Sequence, residues 1–78
     1  MRVEEIVYIH SILADTQLPV SRKIEFLQAN YDLPRLWNES SDERLELYLD
    51  PAIKGYLRDI HKFVENNFDK SEYEVRHK

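Results

Sequence analysis

His10 and His61 carry the side chains that most commonly bind metals or transfer protons in proteins. His61 and Glu65 are one helical turn apart, a spacing that places two ligands on the same side of a helix. A protein metal site needs at least one further protein ligand, and only the tertiary fold could bring His10 to this pair. We therefore predict no metal site, and we expect His61 at the edge of an apolar helix face.

His10 projects from the apolar face of the first predicted helix, so its ring is expected to be partly buried. A partly buried imidazole needs a hydrogen-bond partner and can titrate near neutral pH. One interpretation is a pH-sensitive or catalytic imidazole. The other, which we favour, is a histidine at the core edge that is hydrogen-bonded to a carbonyl or to a tyrosine.

Several classes of active site are excluded by composition. One glycine is too few for a phosphate-cradling loop, and the lack of cysteine excludes disulfides, thiolate zinc sites and thiol nucleophiles. No serine lies in a Gly-x-Ser-x-Gly motif. Carboxylates are numerous, but a general acid needs a pocket that shifts its pKa, which 78 residues seldom enclose. We predict that the protein is not an enzyme and binds no cofactor.

Helical spacing of the apolar residues predicts an all-α protein, a compact bundle of four helices at about 3–15, 19–30, 41–49 and 51–68. A short helical turn is expected near 34–37. The hydrophobic content of 42% is enough for one core, and the length is enough for only one domain. We expect that domain to span 1–68 and a polar, frayed and flexible tail to span 69–78.

Helix starts are indicated by Pro19, by Asp50 followed by Pro51, and by the capping-box spacing of Ser40 and Glu43. The residues expected to face inward are Val3, Ile6, Val7, His10, Leu13 and Ala14 in the first helix; Val20, Ile24, Leu27 and Tyr31 in the second; Leu45, Tyr48 and Leu49 in the third; and Ile53, Tyr56, Leu57, Ile60, Phe63, Val64 and Phe68 in the fourth.

Negative charge is concentrated in one segment of the chain. Residues 38–50 contain five acidic residues and one basic residue, so the whole net charge of −4 falls in this segment. An acidic balance disfavours nucleic acids and anionic membranes as partners. An acidic surface can steer a basic protein partner toward it, although a merely solvated acidic face is the alternative.

A predicted partner surface combines this acidic segment with the outer side of the first helix. Tyr8 and Ile12 project away from the predicted core, and with Glu5 they form an apolar spot with an acidic rim, as interfaces do. The alternative is that the last helix or the tail covers them. The remaining members of the predicted surface are acidic residues of the third helix and its end: Asp42, Glu43, Glu46 and Asp50.

The sequence therefore predicts a small acidic helical protein-interaction module that binds and modulates a larger protein with a basic surface. In size and acidity it is similar to small inhibitors, immunity proteins and regulators. The lack of cysteine and of an export signal or membrane span favours the cytoplasm.

Two other hypotheses stay open at this point. The first is a nucleic-acid-binding domain resembling a helix-turn-helix, which would use Arg22, Lys23 and Arg35, although residues 16–37 have three basic and two acidic residues. The second is self-association as a homodimer, since Phe26 and Leu47 lie off the predicted apolar faces. A basic stripe on the last helix, formed by Lys54, Arg58 and Lys62, could meet carboxylates of a second copy, but such stripes are usually only solvated.

Overall fold

The computed structural model describes residues 1–74, and this part of the chain contains six helices. They are α1 (Val3–Leu13), α2 (Val20–Asn30), α3 (Leu33–Glu39), α4 (Asp42–Leu45), α5 (Pro51–Asn67) and α6 (Lys70–Tyr73). No β-strand occurs in this part of the chain, so the predicted all-α class is confirmed. The predicted tail also includes residues 75–78, which lie outside the described residues.

The helices α1 and α5 run parallel and side by side. Just before α5, the Tyr48 hydroxyl donates to the carbonyl of Met1, which lies just before α1, at 2.9 Å. Further along, Nε2 of His10 lies 2.9 Å from Oδ2 of Asp59. The two pairs are separated by 47 and 49 residues. His10 also stacks on Tyr56, so a residue of α1 lies beside residues about 46–49 positions later on α5.

The longest helix, α5, forms as predicted. Pro51 occupies its first position, and the Asp50 carboxylate accepts a hydrogen bond from the backbone N–H of Ala52 at 2.9 Å. Its apolar side chains repeat at helical spacing on one side, which fixes the face that α5 turns to the core. The buried residues of this face are Ile53, Leu57, Ile60, Val64 and Phe68, with Tyr56 and Phe63 partly buried beside them.

The buried stripe of α1 differs from the predicted one. Ile6 and Ile9 are fully buried, whereas Val3 is 47% and Val7 44% exposed. Ala14, which was expected to face inward, is also exposed. The reason is that α1 contacts both α5 and α2, so the side between those contacts is buried and the stripe through the valines faces outward.

Most of the predicted inward face of α2 lies at the core: Leu27 is buried, and Ile24 and Tyr31 pack against the core. Val20, also expected inside, is instead 51% exposed, and Lys23 is buried. Phe26, predicted to lie off the apolar face, packs edge-on against Tyr8 and Tyr31 with ring centroids 5.7 Å apart in each case. Phe26 therefore lies within the contact between α1 and α2, which contradicts its assignment as a free self-association residue.

The third predicted helix is much shorter than expected. It ends as α4 at Leu45, which is buried, and the chain continues to α5 without helical structure. Leu49, predicted to face inward, is 96% exposed, and Leu47 is 69% exposed. The hydrogen bond from Tyr48 to the Met1 carbonyl turns the tyrosine inward, and its two neighbours in this non-helical segment point outward.

Helical structure replaces both the predicted turn at 34–37 and part of the predicted tail. The turn is the two-turn helix α3, which buries Leu33 and Leu36. In the tail, the backbone N–H of Asp69 donates to the Glu72 carboxylate at 3.0 Å as α6 begins. Tyr73 then packs its buried ring against Trp37, with centroids 4.3 Å apart. Within residues 1–74, no helix combines the length and apolar character that crossing a membrane requires.

Candidate functional site

The segment of residues 42–50, here called the acidic loop, comprises α4 and the non-helical stretch that leads into α5. Three contacts hold it on the body of the protein. Leu45 is buried in the core, the Tyr48 hydroxyl donates to the Met1 carbonyl at 2.9 Å, and the Asp50 carboxylate caps α5. These contacts are spread along the loop, so its backbone is held on the body of the protein at three points.

Leu47 and Leu49 project from the acidic loop into solvent. They are 69% and 96% exposed, more than any other large hydrophobic residue of the described chain. Full burial of a leucine side chain contributes about 1.5–3 kcal/mol, which this fold leaves unused at both positions. Single exposed apolar residues are common on protein surfaces, but these two are separated by only one residue in the chain.

Carboxylates flank the two leucines along the chain. The predicted partner-binding residues Asp42, Glu43, Glu46 and Asp50 are all exposed on the acidic loop. None of them takes part in an ion pair among residues 1–74. Their negative charge is therefore available to a partner, and only Arg44 offsets it within the loop.

The other half of the predicted partner surface lies elsewhere. Tyr8 is exposed on the α2 side of α1, where its ring packs on Phe26, and Ile12 is partly buried. Glu5 lines a neighbouring cleft of about 660 Å³, together with Tyr31, whose ring also packs on Phe26. The predicted alternative was coverage by the last helix or the tail, and the contact observed for Tyr8 is with Phe26 of α2.

Ser40 and His61 form a pair that the sequence does not predict. The Ser40 Oγ lies 2.8 Å from Nδ1 of His61, whose ring stacks on Trp37 with centroids 3.5 Å apart. Ser40 also donates to the Leu36 carbonyl at 2.9 Å, at the C-terminal end of α3, so its predicted capping-box role is wrong. A serine nucleophile must reach its substrate, and Ser40 is only 1% exposed. The pair therefore joins α3 to α5 rather than forming a catalytic dyad.

The environment of His61 favours its neutral form. Burial lowers the pKa of His61 below its ordinary value of 6.5, while the carboxylates of Glu65 and Asp42 partly oppose this effect. The i, i+4 pair of His61 and Glu65 gains no third ligand. Among residues 1–74, no group of three or more histidine, aspartate and glutamate side chains is arranged to hold a metal ion.

His10 lies at the edge of the core, as expected. Its Nε2 contacts the Asp59 carboxylate at 2.9 Å, and its ring stacks on Tyr56 with centroids 4.1 Å apart. The polar partner is thus a carboxylate, rather than the carbonyl or tyrosine that the sequence suggested. The tyrosine contributes a stacking contact instead of a hydrogen bond. Both contacts join α1 to α5.

The residues of the nucleic-acid hypothesis do not form an open basic surface. Lys23 is only 9% exposed, so little of this residue is open to a phosphate backbone. Arg22 pairs with Glu25 at 3.2 Å, and Arg35 lies 3.7 Å from Glu39. Each of the two accessible arginines therefore has a carboxylate beside it.

Comparison with known proteins yields no relative for this chain: no family model, no curated protein and no solved structure matches it. A proposal for its function therefore depends on its own geometry. Of the surfaces described above, the acidic loop combines the most exposed apolar side chains with the highest local charge.

Proposed function

We propose that the protein is a small acidic protein-interaction module, and that its acidic loop binds a larger protein and modulates it. The observation that carries the proposal is the exposure of Leu47 and Leu49 on a loop that is held at Leu45, Tyr48 and Asp50. Interfaces combine a buried apolar centre with a polar rim. The acidic loop offers both features in nine consecutive residues.

The chemistry of the loop defines the partner surface that would fit it. Two leucines require an apolar pocket, and the surrounding carboxylates require basic residues at the rim of that pocket. Opposite charges at a rim mainly raise the association rate, whereas buried apolar side chains supply most of the affinity. Because the loop is already held in place, binding costs little of the ordering entropy that a flexible loop would lose.

The bound protein would cover the basic-rimmed surface of its partner and block access to it. This coverage would modulate the activity of the partner. This mode of action is inhibitor-like or regulator-like. A cytoplasmic location is part of the same proposal and is supported by the cysteine-free composition.

Affinity capture from extracts of the native host, with the full chain tagged at its C-terminus, tests the proposal. We expect capture of a partner by the wild type and its loss in two loop variants, Leu47→Ser with Leu49→Ser and Glu43→Lys with Glu46→Lys. The matched controls are Val20→Ser, at an exposed valine of α2, and Glu25→Lys, at an exposed acid of the same helix. Both controls should retain the partner.

The same experiment can contradict the surface assignment. A partner that both loop variants retain, and that Tyr8→Ala loses, would place the interface at the contact between α1 and α2. Salt provides a second criterion, because a basic partner steered by the carboxylates should associate more slowly as ionic strength rises. An association rate that salt does not change would exclude the proposed basic rim.

A further inference from the structure

A second exposed surface lies on α1 and α5, on the side opposite their buried residues. This outer face contains Val3 and Val7 on α1 and Gly55 and Lys62 on α5, with Asp15 just beyond the end of α1. We propose that two copies of the chain associate through the outer face as a twofold-symmetric homodimer. In this dimer, α1 of each protomer packs on α5 of the other.

The apolar part of the outer face consists of a ridge and a notch. Val3 and Val7 are one helical turn apart and are 47% and 44% exposed, so they form the ridge on α1. On α5, a Cβ atom at Gly55 would have nothing within 4 Å, so the glycine leaves a notch that is open to solvent. Gly55 lies inside a helix without a positive φ, so the backbone of the single chain does not require it. A glycine at such a position suits the close approach of another chain.

The parallel register of α1 and α5 aligns the ridge with the notch. Residues of α1 are level with residues about 48 positions later, so Val7 is level with Gly55. A twofold axis parallel to both helices keeps every residue at its level and places α1 of one copy over α5 of the other. Val7 of each protomer then faces Gly55 of its partner, twice in the same interface, as an isologous contact requires.

The charges on the outer face favour the twofold axis parallel to the helices over one perpendicular to them. The exposed edge of α1 is acidic, with Glu4 and Asp15. The exposed edge of α5 is mainly basic, with Arg58 and Lys62, and its nearby carboxylate, Asp59, contacts Nε2 of His10 in the same chain. The parallel axis places the acidic edge of each copy over the basic edge of the other and brings Asp15 level with Lys62. A twofold axis perpendicular to the helices would instead place acid over acid and base over base. The acidic edge of α1 and the basic edge of α5 lie on the same outer face. A second copy of the chain therefore offers the charges that complement this face.

Sedimentation equilibrium of the full chain, at concentrations from about 1 μM to 1 mM, tests the proposal. We expect the mass to rise from one chain of 9.4 kDa toward twice that value. Val7→Glu and Gly55→Leu should remain monomeric at the highest concentration with an unchanged helical circular-dichroism spectrum, since both positions are open in the single chain. Val20→Glu, at an exposed valine of α2, and Leu47→Ser, in the acidic loop, should dimerise like the wild type.

A charge exchange tests the orientation of the two copies. Asp15→Lys and Lys62→Asp should each weaken self-association, whereas an equimolar mixture of the two variants should form heterodimers with both ion pairs restored. A wild type that stays monomeric at the highest concentration overturns the dimer, as does wild-type association of Val7→Glu and Gly55→Leu. A mixture that associates no better than its components overturns the parallel axis. The Leu47→Ser variant changes the acidic loop but should still dimerise. A failure of the dimer proposal can therefore be distinguished from a failure of the proposed partner binding by the acidic loop.

Discussion

The imidazole of His61 lies flat against the indole of Trp37, with ring centroids 3.5 Å apart and 16° between the ring planes. The hydrogen bond between Nδ1 of His61 and the Ser40 hydroxyl fixes the ring in this position, so one histidine joins α5 to α3 by two contacts. Burial of the ring lowers its pKa, and the nearby carboxylates do not cancel that effect. This contact therefore makes the stability of the fold depend on pH.

We expect His61→Gln to make the free energy of unfolding less dependent on pH below neutrality. His61 ordinarily titrates near 6.5 in the unfolded chain, and its pKa is lower in the folded chain. Below about pH 6.5 the unfolded state therefore binds more protons, so the wild type loses stability until the pH falls below the folded pKa. Urea denaturation between pH 5 and 7.5, followed by the fluorescence of Trp37, the only tryptophan, measures the difference. Parallel pH profiles of the two proteins would contradict it.

Alanine substitution at two leucines should change the free energy of unfolding by very different amounts. Leu57 is fully buried on α5, so Leu57→Ala should lower the free energy of unfolding by about 2–5 kcal/mol. Leu49 is almost fully exposed on the acidic loop, so Leu49→Ala should change it by less than about 0.5 kcal/mol. Urea denaturation of both variants checks the pair. A large loss in Leu49→Ala would show that this side chain is covered in solution.

Asp50 should contribute to stability as a helix cap rather than as a charge. Asp50→Ala removes the acceptor for the backbone N–H of Ala52 and should cost about 1 kcal/mol. Asp50→Asn keeps a side-chain oxygen at the same place and should cost much less, although it removes the same charge. Chemical denaturation of the two variants separates the cap from the charge, and equal losses would disprove the capping role.

The sequence predicts α5 well and α1 poorly, for a physical reason. In α5 the apolar residues occupy one side only, and Asp50 with Pro51 defines the start, so its local pattern determines the buried face. In α1 apolar residues occur on most sides of the helix, including both Val7 and Ile9. Which of those sides is buried depends on where α2 and α5 pack, and this information is not local.

The candidate site was predicted in part for the same reason. The carboxylates of the acidic loop are evident from charge counting, and the structure leaves Glu43 and Glu46 exposed. The sequence does not predict the exposure of Leu49, because the helical spacing of apolar residues continues four positions beyond Leu45, where α4 ends. A hydrogen bond between Tyr48 and Met1, 47 residues apart, decides the course of the loop. Ser40 and His61 are likewise 21 residues apart in the chain, so no local sequence pattern predicts their contact.

Gly55→Ala should stabilise the single chain by about 0.5–1 kcal/mol. Alanine loses less conformational entropy than glycine in a helix interior, and the added Cβ meets open space. Thermal unfolding at micromolar concentration, where the monomer should dominate, measures the gain. A lower melting temperature for Gly55→Ala under these conditions would show that the notch is already occupied within one chain.

Tyr73 should be required for the environment of Trp37, although it lies in the predicted tail. Its ring packs 4.3 Å from the indole, and α6 holds it there. We expect Tyr73→Ala to lower the melting temperature and to shift the emission of Trp37 to longer wavelength, because the indole loses its apolar cover and gains water. Glu74→Ala, at the neighbouring exposed residue, is the control and should leave both measurements unchanged. If Tyr73→Ala preserves the wild-type emission, α6 does not cover the indole in solution.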